Sequence, residues 1–239
     1  MNKIIPILTG LMFSIIYMTA QTPLNGTYTI GSSGANYNSF TAAVNALIAN
    51  GVSGPVVLNV NSGTYTEQLS IPQISGASSV NTITFQSVTN DSTSVVLTNP
   101  TITINSNHVL QLNGANYFRF KYLTIRSLDT SFQRIVELID SSSFNEFSNN
   151  IIEAKNGVQT SIYTIDQRTH SNNSIFKNNN IINGSIGIRI SGSLQLQSCG
   201  NYIENNIIKG YNWNGINIHD QDSIVIRNNY ESGLTTPKI

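Results

Sequence analysis

Apolar and polar residues alternate along most of the chain with period two, and a second, longer period is laid over that alternation. Four segments share an apolar-x-Asn-Asn pattern: Phe147-Ser148-Asn149-Asn150, Phe176-Lys177-Asn178-Asn179, Ile203-Glu204-Asn205-Asn206 and Ile226-Arg227-Asn228-Asn229. Three of them continue to an apolar residue (Ile152, Ile181, Ile208), whereas the fourth has Glu231 there. Phe120, in Phe120-Lys121-Tyr122-Leu123-Thr124-Ile125, reads as a degenerate earlier member, which makes the spacings roughly 27, 29, 27 and 23 residues. Such periods are those of solenoid repeats.

Each repeat carries a second alternation, at Val136-Glu137-Leu138, Tyr163-Thr164-Ile165, Ile188-Arg189-Ile190 and Ile216-Asn217-Ile218. Alternation of this kind means a strand with one buried face. Asn183-Gly184 and Asn214-Gly215 supply turn conformations between strands. Beyond about residue 50 no helical periodicity is evident. Short strands recurring without helices predict an all-β, right-handed parallel β-helix whose inward residues stack from rung to rung. A β-sandwich is the alternative, but it does not require Asn-Asn pairs at a common offset.

The amino-terminal part differs. In Ser39 to Gly51, Phe40, Val44, Leu47 and Ile48 fall on one helical face, with Asn38 or Ser39 as N-cap and Gly51 as the stop. A capping helix over 38–51 would cover the open end of the solenoid, with coils over 54–239 and Pro55 to Val60 as the first full strand. Ahead of it, Met1-Asn2-Lys3, the apolar run Ile4 to Met18 and the small residues before Gln21 have the form of a secretory signal peptide over 1–20, cleaved near Ala20-Gln21. A transmembrane anchor is the other reading. The run is short for a span of about 20 residues and is broken by Pro6. After cleavage no membrane span is expected, and the protein is expected to be secreted or at the cell surface.

Composition adds to this. Twelve Lys+Arg balance twelve Asp+Glu, and charged residues make up only 10% of the 239. That excludes charge-rich disordered and coiled-coil classes and argues against a nucleic-acid partner. Asn supplies 33 residues, which stacked turns would use for hydrogen bonds between rungs. After Lys3 the next basic residue is Arg119, and only Glu67 and Asp91 are acidic before it, so ionisable chemistry belongs to the second half. Cys199 is the only cysteine. It excludes an internal disulfide and reads as a small buried hydrophobe.

Gly63-Thr64-Tyr65-Thr66-Glu67 followed by Leu69-Ser70-Ile71, together with the helix and strand before it, resembles the start of pectinesterase-type β-helices in the pectate-lyase-like superfamily. Gly26 to Ile30 and Asn81 to Ser87 are similar to segments of large exported bacterial β-helix proteins, many of them type IX secretion cargo. The resemblance covers roughly residues 26–100 and implies architecture more than activity. Pectinesterases pair two Asp residues with an Arg and Gln-containing motifs on consecutive coils, yet no Asp-Phe-Ile-Phe-Gly-like segment occurs here. Polygalacturonase-like signatures are absent too, and Arg189-Ile190-Ser191 is no substitute. A type IX sorting domain is missing, and Tyr230 to Ile239 shows no separate cap, so the chain reads as truncated at its carboxyl end, a monomer or part of a longer protein.

On the β-helix reading one outward column holds Glu137, Thr164, Arg189 and Asn217, and its neighbour holds Ile139, Asp166, Ser191 and His219, flanked by Asp140 and Asp220. Glu137, Asp166, Arg189 and His219 are therefore the candidate catalytic residues, with Arg189 or His219 as the proton-abstracting base of a lyase, a role that His meets near neutral pH and Arg only when strongly perturbed. The plain alternative is a row of solvated charges. Asn217, Tyr211 and Trp213, with Tyr202 nearby, are candidate sugar contacts, although Trp213 also suits a coil-corner cover. His108 and His170 read as loop surface residues, and the Asn-x-Ser/Thr triplets at Asn25, Asn90, Asn172 and Asn183 are expected by chance in so Asn-rich a chain. No metal site or cofactor is expected; Ca²⁺ enters only if the protein is a lyase, through Glu137, Asp140 and Asp166. The sequence thus points to an exported module that binds or displays carbohydrate, a polysaccharide being the expected partner. A polysaccharide lyase or esterase acting on acidic glycans is the alternative.

Overall fold

The computed structural model describes residues 21–99, 106–127, 129, 133–155, 162–193 and 197–234. The proposed leader over 1–20 lies outside them. The chain winds into a parallel β-solenoid of about six turns with three long sheets and a two-stranded one formed by Ser198–Cys199 and Gln221–Asp222. The first sheet stacks Leu24–Ile30, Val52–Val60, Ile83–Ser87, Phe118–Lys121, Glu146–Ser148, Ile175–Lys177, Tyr202–Glu204 and Val225–Arg227 in that order. The second stacks Gly63–Thr66, Val95–Asn99, Thr124–Ser127, Ile151–Glu153, Asn180–Ile182, Ile207–Tyr211 and Tyr230–Gly233. The third stacks Leu69–Pro72, His108–Asn113, Gln133–Ile139, Ile162–Gln167, Ile186–Ser191 and Asn214–His219. Each strand pairs in parallel with its counterpart one coil away, so an inner strand is paired on both sides.

Inside, Phe85, Phe120, Phe147 and Phe176 share one register position and stack at centroid separations of 5.5, 5.0 and 5.7 Å. The stack ends on Phe40, 5.6 Å from Phe85. Phe40 opens helix α1 (Phe40–Asn50), whose N-cap Ser39 accepts from the Ala42 amide. The Glu67 carboxylate of the next coil accepts from the Phe40 and Thr41 amides at 3.0 and 2.7 Å, placing negative charge at the helix start. Tyr65 of the same turn packs edge-on against Phe40 and donates to the Asn61 carbonyl. The Gly-x-Tyr-x-Glu sequence is therefore the seat of α1. The buried face of α1 is Phe40, Ala43, Val44 and Leu47, and the expected Ile48 is instead half-exposed. It sits one position past the stripe that the solenoid end can cover.

The Asn-Asn pairs form the corner between the first and second sheets. Tyr122, Asn149, Asn178, Asn205 and Asn228 all adopt left-handed backbone, with φ of 54–58°, which Asn tolerates better than most side chains. The second Asn of each pair points inward as a ladder. Asn150, Asn179 and Asn206 each use their own amide nitrogen to reach the side-chain oxygen one rung on, at 2.9–3.0 Å. Their side-chain NH₂ groups reach the same oxygens and also the carbonyls of Phe120, Phe147 and Phe176. Eight of the 33 asparagines lie in these four pairs.

Candidate functional site

The third sheet carries the ionisable cluster. Its outward column runs Ser70, Gln111, Glu137, Asp166, Arg189 and Asn217. This corrects the sequence alignment by two residues: Asp166, and not Thr164, stands between Glu137 and Arg189. Thr164 is buried and donates to the Asn183 carbonyl. The inward pair flanking the column in this rung is Ile165 and Gln167, and Gln167 is fully buried, its amide donating to Ser171 O and Asn201 Oδ1. A polar residue in an inward position breaks the apolar-x-apolar signature, so Tyr163-Thr164-Ile165 is the better match by hydropathy and the wrong one by register.

Within the column Ser70 donates to Gln111, and Gln111 donates to Glu137 Oε2 at 2.7 Å. Arg168 donates to the other Glu137 oxygen, and Arg134 lies 3.2 Å from it. Asp166 takes Arg189 in a two-pronged contact, Nε at 2.7 Å and Nη2 at 2.9 Å, together with Arg134 and Arg168. Three guanidinium groups thus surround two carboxylates. Tyr163 lies beneath two of them, its ring centre 4.0 Å from the Arg189 guanidinium carbon and 5.6 Å from that of Arg134. Burial works against the charge on Arg189, but the Asp166 hydrogen bond and charge outweigh it and raise its pKa.

Accessibility divides the cluster. Asp166 and Glu137 are 0% and 3% exposed, while Arg189 and Arg168 are 21% and 34% exposed. The carboxylates are sealed beneath the guanidinium groups, and what solvent meets is positive charge with Asn217 and Ser70 at the margins. His219 is not part of the cluster. It stands one column over, in register with Ser191, exposed and without an ion pair among the described residues. Asp140 and Asp220 sit in left-handed turns. Among the described residues no group of three His, Cys, Asp or Glu is placed to hold a metal ion.

The aromatic candidates separate as well. Trp213, in the connection that leads into the last strand of the third sheet, is 67% exposed, whereas Tyr211 is half-buried against the core. Cys199 is half-buried in a short outer strand with Ser198. His108, expected in a surface loop, is a buried strand residue in register with Arg134. Burial lowers its pKa first; Glu137 pulls it up and Arg134 pushes it further down. A histidine whose folded pKa is depressed contributes full stability above its unfolded value of about 6.5 and loses it as pH falls toward the folded value. Thermal melts of wild type and His108→Gln at pH 7.5 and 5.5 are expected to show a steeper acid loss in wild type, at most about 1.4 kcal/mol per pH unit. Equal losses in the two proteins would remove His108 as the cause.

Two features escaped sequence reading. Arg134 and Arg168, outside the repeat pattern, complete the cluster. Tyr117 and Phe144, 27 residues apart, stack at the corner between the third and first sheets, centroids 5.0 Å apart and rings 6° from parallel. Their spacing, equal to that of the repeat, was the available signal.

No protein-family model matches this chain, and no curated protein matches it in sequence. Solved structures do match. The pectin methylesterase of Aspergillus niger is 14% identical with a TM-score of 0.58, over 91% of this chain and 70% of the enzyme. That of Yersinia enterocolitica is 17% identical with a TM-score of 0.58, over 83% of this chain and 67% of the enzyme. At such identities the likeness shows the fold alone, a parallel β-helix.

Proposed function

We propose that this protein is an exported β-helix module that binds an acidic polysaccharide across its third sheet. One observation carries the reading: the column buries its carboxylates and leaves an excess guanidinium charge facing outward, with Arg168 and Arg189 partly exposed. A chain of uronate residues laid across successive rungs would meet that charge and the hydrogen-bonding groups of Asn217 and Ser70. Sealing Asp166 and Glu137 favours binding over catalysis, because a nucleophile or general base has to reach its substrate. Among the described residues no helix is long and apolar enough to cross a membrane. Export rests on the leader-like residues 1–20.

The test is affinity electrophoresis and calorimetry with polygalacturonate and with a neutral glucan. Polygalacturonate is expected to bind more tightly and to weaken as salt is raised. Arg168→Ala is expected to reduce its affinity about fivefold, close to 1 kcal/mol. Equal affinity for the two polymers would sink the reading. An esterase or lyase is the second possibility, favoured by the placement of Gln111, two carboxylates and Arg189 on consecutive rungs. Release of methanol from methyl-esterified polygalacturonate, or of unsaturated chain ends, would establish it in place of simple binding.

A further inference from the structure

We propose a second carbohydrate subsite, for one uronate residue stacked on Phe144, at the corner between the third and first sheets. It shares its ligand class with the reading above but none of its residues. The corner position is left-handed in successive coils: Tyr117 (φ 65°), Phe144 (60°), Asn173 (53°), Gly200 (68°) and Ser223 (60°). Asn and Gly accept that conformation readily, whereas a bulky aromatic residue there is strained. Two aromatic rings are nonetheless held in it, and Phe144 remains 49% exposed. Strain kept at an exposed position points to a use beyond folding.

The geometry supplies the use. Tyr117 and Phe144 lie on adjacent rungs and are parallel, so one face of Phe144 is covered by Tyr117 and the other looks along the solenoid toward Asn173. The Asn173 side chain lies over Gly200, where a Cβ would come within 2.1 Å of its Oδ1. A hollow of about 200 Å³ runs beside the two rings, from Ser79 to Asn173, and is lined also by Arg119, Glu146 and Ile175. One face of a pyranose ring is a sheet of C–H groups, which suits the negative face of an aromatic ring.

Charge selects the kind of sugar. On the adjoining strands Arg119, Lys121 and Lys177 surround the single Glu146 carboxylate at 2.8, 3.7 and 3.1 Å. Burial pushes the Glu146 pKa up, but the Ser148 hydroxyl and the two lysines outweigh it and hold it below the usual value. One carboxylate thus answers three cations: Arg119 and Glu146 line the hollow themselves, and Lys121 and Lys177 stand two residues further along the same sheet. A uronate ring supplies both the C–H face and the missing carboxylate, where a neutral hexose supplies only the first.

Trigalacturonate and maltotriose are the probes, titrated against wild type, Phe144→Gly, Phe144→Leu and Arg168→Ala, with a melting temperature for each protein. Phe144→Gly is expected to weaken trigalacturonate binding about fivefold, with melting unchanged or raised because glycine relieves the left-handed strain. Phe144→Leu keeps apolar bulk and loses the ring, so it too is expected to weaken binding. Trigalacturonate affinity unchanged in both Phe144 variants would overturn the subsite. If Arg168→Ala then still weakened binding, the third-sheet reading would stand alone. Equal wild-type affinity for maltotriose would overturn the uronate assignment, and no trigalacturonate binding by wild type would remove both proposals.

Discussion

Asp166→Ala is expected to destabilise the protein by about 3–5 kcal/mol, the usual cost of removing one partner from a buried ion cluster. Asp166 is fully buried, and Arg134, Arg168 and Arg189 converge on it. Its loss leaves three guanidinium groups around Glu137 alone, packed where water does not reach them all. For a protein of this size the loss corresponds to roughly 6–20 °C in melting temperature. A second substitution tells an uncompensated charge from a simple packing defect. If the cost arises from stranded cations, Arg189→Ala placed on top of Asp166→Ala restores part of the stability, and the double variant loses less than the two single losses combined. Strict additivity would mean that the cluster is a set of independent surface charges.

The second large effect is expected at Asn179. Its side chain accepts from the Asn150 amide at 3.0 Å and donates to the Phe147 carbonyl at 2.9 Å and to Asn206 Oδ1 at 3.0 Å. Asn179→Ala strands one buried backbone donor and one buried acceptor at about 1–3 kcal/mol each, so about 2–6 kcal/mol is expected from urea unfolding. Asn178→Gly, one residue earlier, keeps the left-handed corner and is expected to be close to neutral. Two similar values at these adjacent positions would show that the ladder bonds carry no more than the turn does.

Legibility followed the repeat. The apolar-x-Asn-Asn segments gave the β-helix and one of its corners directly, because the ladder needs Asn at that place in every coil. The candidate site was read less well. Glu137, Arg189 and Asn217 were correctly assigned to one column, and Asp166 was displaced by two residues because Gln167 occupies an inward position. His219 was drawn into the group by the same shift. Arg134 and Arg168 carry no periodic mark, since long side chains reach across rungs from positions that alternation does not distinguish. His108 read as a loop residue because the ladder that buries it is assembled from coils 26 residues or more apart, Gln111 to Glu137 among them.

The coils hold together along one edge much as pages are held along a spine. From Phe118–Lys121 onward the corner between the first and second sheets is two residues long in every coil, as in Asn149-Asn150, Asn178-Asn179 and Asn205-Asn206. The connection from the second sheet to the third varies instead, from Asn212-Trp213 to the stretch 154–161. One extra residue at an Asn-Asn corner would turn the following strand inside out, while doubling the outer connection adds only about 0.6 kcal/mol of closure entropy. The connections leaving the third sheet vary too, as in 114–117 and 168–174, so new chemistry can be written on both margins of that sheet without disturbing the binding of the rest.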